Sequence, residues 1–180
     1  MTVTPALLLA AATVLGATAC GDDDACGPGS APADGLVLAG DGLEVRYAGL
    51  VAGANNDCPA PDAPAGVVSL TIAGTQAGGA APLTFCVPRP DLLGAGARAL
   101  GTEVQVIDAS ATVDGCTLSL AGTSAPTGTA TAAGACDDGA GPAGFALTLD
   151  GTVTVTRTCG AAVDELAMTL VGEIAVAPPP

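Results

Sequence analysis

At five places along the chain, large apolar residues alternate with mostly small or hydroxylic ones, and a glycine follows. The segments are Leu36-Val37-Leu38-Ala39-Gly40, Leu70-Thr71-Ile72-Ala73-Gly74, Leu118-Ser119-Leu120-Ala121-Gly122, Leu147-Thr148-Leu149-Asp150-Gly151 and Met168-Thr169-Leu170-Val171-Gly172. A period of two puts one set of side chains on a core face and the other in solvent, which predicts half-buried strands. The glycine reads as freedom for the backbone to turn. The copies are too unevenly spaced for a solenoid, so the motif is shared strand grammar and not a repeat.

Further strands fall between these. Leu43, Val45 and Tyr47 alternate with Glu44 and Arg46, and Asp41-Gly42 before them predicts a hairpin turn. Residues 66–74 and 82–87 read as strands, the second carrying Cys86, and residues 55–64 as a loop pinned by Cys58. Asp91 to Leu100 is expected to form one short helix, capped by Asp91 and ended by Gly101. Asp114-Gly115 as a two-residue turn pairs Val113 with Cys116, Ala111 with Leu118 and Ala109 with Leu120, matching apolar to apolar. A two-residue loop at Asp150-Gly151 would mix faces. A three-residue loop, Leu149-Asp150-Gly151, pairs Leu147 with Val153 and Phe145 with Val155 and is the expectation there. The last strand sets Leu166, Met168, Leu170, Ile174 and Val176 on one face, against Glu165, Thr169 and Glu173.

Roughly eight to ten strands with Gly/Pro turns predict an all-β fold, an antiparallel β-sandwich of immunoglobulin-like or similar type, with a closed β-barrel as the alternative. Residues 36–177 make the single domain, followed by a proline tail over 178–180.

Ahead of the domain, the apolar run Ala6–Leu15 leads into Gly16-Ala17-Thr18-Ala19, then Cys20, then Gly21-Asp22-Asp23-Asp24. This is the layout of an export signal over residues 1–19, and it resembles the lipobox of bacterial lipoproteins. The resemblance implies that Cys20 becomes the N-terminal residue and carries acyl chains, palmitate among them. It also implies a place in the bacterial cell envelope, on the outer membrane or cell surface rather than the inner membrane. Residues 20–35 then form a lipidated, acidic tether between membrane and domain. Ala17-Thr18-Ala19 also suits ordinary signal cleavage, so plain secretion is the alternative.

The chain has seven cysteines. Setting Cys20 aside leaves Cys26, Cys58, Cys86, Cys116, Cys136 and Cys159, an even set that in an exported protein reads as three disulfides. Cys26–Cys58, Cys116–Cys136 and Cys86–Cys159 are the expected pairs among fifteen possible connectivities. Apolar residues make up 49% of the chain, but only Tyr47, Phe85 and Phe145 are aromatic. A core this thin buries little area per residue, so the bridges should carry a large share of stability.

Eighteen acidic residues face four arginines, with no lysine and no histidine, giving a net charge of −14. Such a surface repels phosphate backbones and excludes nucleic acid as a partner. Without histidine or lysine there is no His-based nucleophile activation and no Schiff-base chemistry. The cysteines lack C-x-x-C spacing, against zinc and redox motifs. Glu103 and Asp108, or Asp137 and Asp138, could form a carboxylate pair for glycoside hydrolysis, but no aromatic platform accompanies them, and solvated surface carboxylates are the better reading. Asp137, Asp138, Asn55 and Asp57 supply oxygen ligands for a calcium ion, though neither group matches the EF-hand spacing. The ladders Thr127-x-Thr129-x-Thr131 and Thr152-x-Thr154-x-Thr156-x-Thr158 resemble ice-binding surfaces, yet exposed strand positions account for them. The expectation is a non-enzymatic, cofactor-free binding or structural module with a protein or glycan partner. A calcium-dependent adhesion domain is the alternative, and a carboxylate hydrolase a more distant one.

Overall fold

The structure is a computed structural model that describes residues 34–51, 55, 57–59, 67–75, 81–93, 96–133 and 144–177. The described strands are β1 (Gly35–Gly40), β2 (Leu43–Arg46), β3 (Leu50–Val51), β4 (Val67–Ile72), β5 (Leu83–Pro88), β6 (Gly96–Ala99), β7 (Gln105–Ala109), β8 (Ala111–Val113), β9 (Cys116–Leu120), β10 (Thr127–Ala133), β11 (Phe145–Cys159) and β12 (Ala162–Val176), with one helical turn, α1 (Pro90–Leu93). The all-β expectation therefore holds. The count exceeds eight to ten because two segments, β3 and β8, are only two and three residues long.

The spine is the β11–β12 hairpin, paired from Phe145↔Val176 to Cys159↔Ala162. β1 adds to the free edge of β12, and β2 to β1. Along the free edge of β11 lie two strands end to end, β10 against Ala146–Thr152 and β9 against Val155–Thr158. β4, β5 and β7 form a separate three-stranded sheet. Two junctions join the sheets. After Ala109, which pairs with Leu83 in the small sheet, the chain crosses at Ser110 into β8, which pairs with β9 in the large one. On the other side, Tyr47 bridges Gly74, and the N–H groups of Ala48 and Thr75 donate to the carbonyls of Ala73 and Arg46 at 2.9 and 2.8 Å. The hydrogen-bonded circuit thus nearly closes, which makes the domain barrel-like, with two sheets around one core.

That core draws on both sheets: Leu36, Leu38, Leu147, Leu149, Val153, Met168, Leu170 and Ile174 from one, and Leu70, Ile72, Leu83 and Phe85 from the other. All three aromatic residues are buried. The last strand behaves as its pattern requires, with Met168, Leu170, Ile174 and Val176 buried, Leu166 half-buried, and Glu165, Thr169 and Glu173 exposed. Asp41 and Gly42 take positive φ values of 49° and 77°, and Asp114 and Gly115 take 51° and 77°, the left-handed pair that a two-residue hairpin needs. Val113↔Cys116 and Ala111↔Leu118 pair as the alternation demands. Ala109↔Leu120 does not form, because the crossing at Ser110 has already taken Ala109 into the other sheet.

Two further expectations fail for physical reasons. The three-residue loop expected at Leu149-Asp150-Gly151 does not form: β11 runs straight through it, and the hairpin loop is Gly160-Ala161. The odd-numbered run Phe145, Leu147, Leu149, Val153, Val155 never leaves one face, and the missing side chain at Gly151 makes room for neighbours instead. A Cβ there would stand 2.5 Å from the Thr127 carbonyl and 2.7 Å from Leu100 Cδ2. The helix expected over residues 91–100 shrinks to the single turn of α1, since residues 96–99 extend as β6 against Thr129–Ala132. Gly96 sits at φ 148°, outside helical geometry.

Candidate functional site

The three two-residue hairpin turns, Asp41-Gly42, Asp114-Gly115 and Gly160-Ala161, lie toward one end of the large sheet. The domain's first and last described strands meet at the other end, where Gly35 pairs with Glu173 and Ala177 follows β12. Two features tie the turn end together. Arg157 on β11 donates from Nε to Asp164 Oδ1 at 3.0 Å and from Nη2 to Asp164 Oδ2, and from Nη1 to Asp41 Oδ2 at 2.9 Å. One guanidinium therefore binds β12 in a fork and also holds the β1–β2 turn. The hydrogen bonds from Arg157 hold the Asp164 carboxyl below its ordinary range, and those to Asp164 push the Arg157 guanidinium up.

The second tie is the disulfide Cys116–Cys159. The β9–β11 register, with Thr117 opposite Thr158, continues by one step to set these two cysteines face to face. The other described bridge, Cys58–Cys86, fastens residues 57–59 to the middle of β5. The anticipated pairs Cys26–Cys58, Cys116–Cys136 and Cys86–Cys159 are all corrected by these two. The partner of Cys116 depends on which edge of β11 accepts β9, and no local pattern encodes that. Cys20, Cys26 and Cys136 lie outside the described residues.

The carboxylates proposed for catalysis are not brought together. Glu103 is occupied by its own turn: its Oε2 accepts from the Ala99 N–H at 2.7 Å, and its Oε1 lies 3.6 Å from Arg98 Nη1. Asp108 lies on β7, beyond that turn, and accepts from Ser110 Oγ at 3.2 Å. Of the calcium candidates, Asn55 and Asp57 are exposed, and the Asn55 side chain accepts from the Asp57 N–H at 3.2 Å, closing a local turn. Asp137 and Asp138 lie outside the described residues. Among the described residues, no three Asp, Glu, His or Cys side chains converge as a metal site. The threonine ladders do fall on adjacent strands: Thr127 and Thr169 both lie opposite Thr152, and Thr131 lies opposite Thr148. Asp150 and Glu173 interrupt the rows, each directly opposite one of these threonines.

Sequence reading missed Tyr47. It faces the core as its alternation implies, but its hydroxyl has no hydrogen-bond partner among the described residues. Burial, with a smaller push from the charge of Asp108, raises its pKa to about 12. This is the only tyrosine in the chain, so tyrosinate absorbance reports on it alone. The expected midpoint is about 12 in the folded protein, against the ordinary 10.0. A raised pKa stabilises the fold fully below pH 10, and that contribution is lost as pH rises toward 12. Tyr47→Phe removes an unpaired buried donor at little change in shape and should be neutral or raise stability by about 1 kcal/mol. A midpoint near 10, or a Phe variant several degrees less stable, would contradict this placement.

Comparison with known proteins finds no matching family model, no matching curated protein and no matching solved structure.

Proposed function

We propose that this protein is a lipid-anchored, non-catalytic module of the bacterial cell envelope, held to a membrane through Cys20 and presenting its β-domain for binding or structural support. The domain itself is all-β and disulfide-bonded, a construction compatible with an oxidising, exported setting. The observation that most favours anchoring is polarity of the fold. The chain enters the domain at Gly35, at the end where β12 finishes, while the Arg157 cluster and the three hairpin turns gather toward the opposite end. A lipid on Cys20 would therefore leave the turn end facing outward, on an acidic tether that keeps the domain off anionic headgroups. Several acyl chains at ~0.8 kcal/mol per buried methylene would make attachment effectively permanent.

The test is intact mass and membrane partition of the mature protein beside Cys20→Ala. The anchored form is expected in the membrane fraction with a mass increment on its N-terminal cysteine, and the variant in the soluble fraction. A wild-type protein that is soluble with an unmodified Cys20 would remove the anchor and leave plain secretion.

A further inference from the structure

We propose that Cys116–Cys159 is a thiol–disulfide exchange site, opened by a dithiol reductant while Cys58–Cys86 stays closed. The two bridges differ in backbone setting. Gly160-Ala161 is a two-residue loop, so Cys159 and Ala162 form its closing pair and the Cys159 backbone bonds to β12. Toward β9, Cys159 then belongs to a pair without hydrogen bonds. The Cα–Cα distance of 4.4 Å fits that closer class of antiparallel pair, near 4.5 Å. At this rung the S–S bond is the only link between β9 and β11.

The bridges also differ in access. Cys116 and Cys159 are both part-exposed, each beside a solvent-facing turn. Cys86 is 1% exposed, flanked in its sheet by Ser69 and Gln105. Cys86 alternates with the core-facing Phe85 and Val87 on β5, and a thiolate cannot reach its buried sulfur unless whatever covers it moves aside. Attack on Cys58 would have to expel the Cys86 sulfur as a thiolate at a position shut off from water, which disfavours the leaving charge. At Cys116–Cys159 either sulfur can be attacked, and either can leave into water.

In the reaction, one thiolate of the reductant bonds to a cysteine sulfur and the S–S bond breaks. The other cysteine departs as a thiolate and takes up a proton. The reductant's second thiol then displaces the first cysteine, so the reductant leaves as a disulfide, having given two electrons to the pair. Below the opened rung, the pairs from Thr117↔Thr158 to Leu120↔Val155 still hold β9 to β11.

The experiment is a dithiothreitol titration of the intact folded protein, with thiols trapped by alkylation, peptides mapped and circular dichroism followed in parallel. Cys116 and Cys159 are expected to label at concentrations about tenfold below those needed for Cys58 and Cys86, with the β-sheet signal unchanged. Labelling of Cys58 and Cys86 at the same or lower concentration would overturn the proposal. So would labelling of Cys116 and Cys159 only as the sheet signal is lost.

Discussion

Gly172→Ala should cost roughly 3–5 kcal/mol and lower the melting temperature by about 10 °C or more. Gly172 lies inside β12 at φ +130°, and a Cβ there would stand 2.2 Å from the carbonyl oxygen of Gly35 and 3.1 Å from Leu36 Cα. Both obstacles are backbone, so relief requires β1 to move off β12, and with it the pairs Gly35↔Glu173 to Ala39↔Thr169. Gly160→Ala is the matched control. Gly160 also has a positive φ, +61°, but nothing stands within 4 Å of an added Cβ. That variant should lose only the conformational term, about 1 kcal/mol. Thermal melts of the two separate backbone strain from steric exclusion. Equal losses would show that β1 does not pack over Gly172 as described.

Replacing Cys58 by Ser and Cys86 by Ala together should lose about 3.5 kcal/mol, the loop-closure value for a separation of 28 residues. The loss should also have a local signature. Asn55 returns to β4 through paired hydrogen bonds, Asn55 N–H to the Ser69 carbonyl at 2.9 Å and Ser69 N–H to the Asn55 carbonyl at 2.6 Å. Ser69 is the one buried polar residue among the described positions. Without the bridge, these amides should exchange with solvent much faster than those of β11 and β12. If melting and exchange are both unchanged, the bridge is incidental to stability.

What was legible in the sequence followed from local rules. Alternation located the strands, and the Asp-Gly pairs at 41–42 and 114–115 located two turns, because a left-handed pair has few sequence solutions. The same rule misled at Asp150-Gly151, where the glycine answers a packing need set by Leu100 and Thr127, residues distant in sequence. A strict two-residue period carried through Gly151 was the signal that could have corrected it. Gly96 shows a similar limit, since the partner that makes residues 96–99 a strand is β10, some thirty residues later. Disulfide pairing failed for the same reason at longer range. The Arg157–Asp164 contact was in principle readable once Gly160-Ala161 is taken as the turn, because that register sets the two residues opposite each other. Asp41 joins them only through the tertiary fold, and the orphaned hydroxyl of Tyr47 likewise needed three dimensions to be seen.

The position of the β11–β12 hairpin has a consequence for biogenesis. β1, β3, β9 and β10 all bond to strands that follow them in the chain, and chains are made from the N-terminus. Until residues 145–176 have been synthesised, those strands lack the hairpin that joins them into one sheet. Assembly must therefore wait for a late, local hairpin, after which β1 closes the longest loop in the molecule onto β12, a slow step by its contact order. The nascent chain stays dependent on whatever shields it until β12 has been made. A stop codon before residue 145 should yield not a smaller domain but an unfolded, protease-sensitive polypeptide.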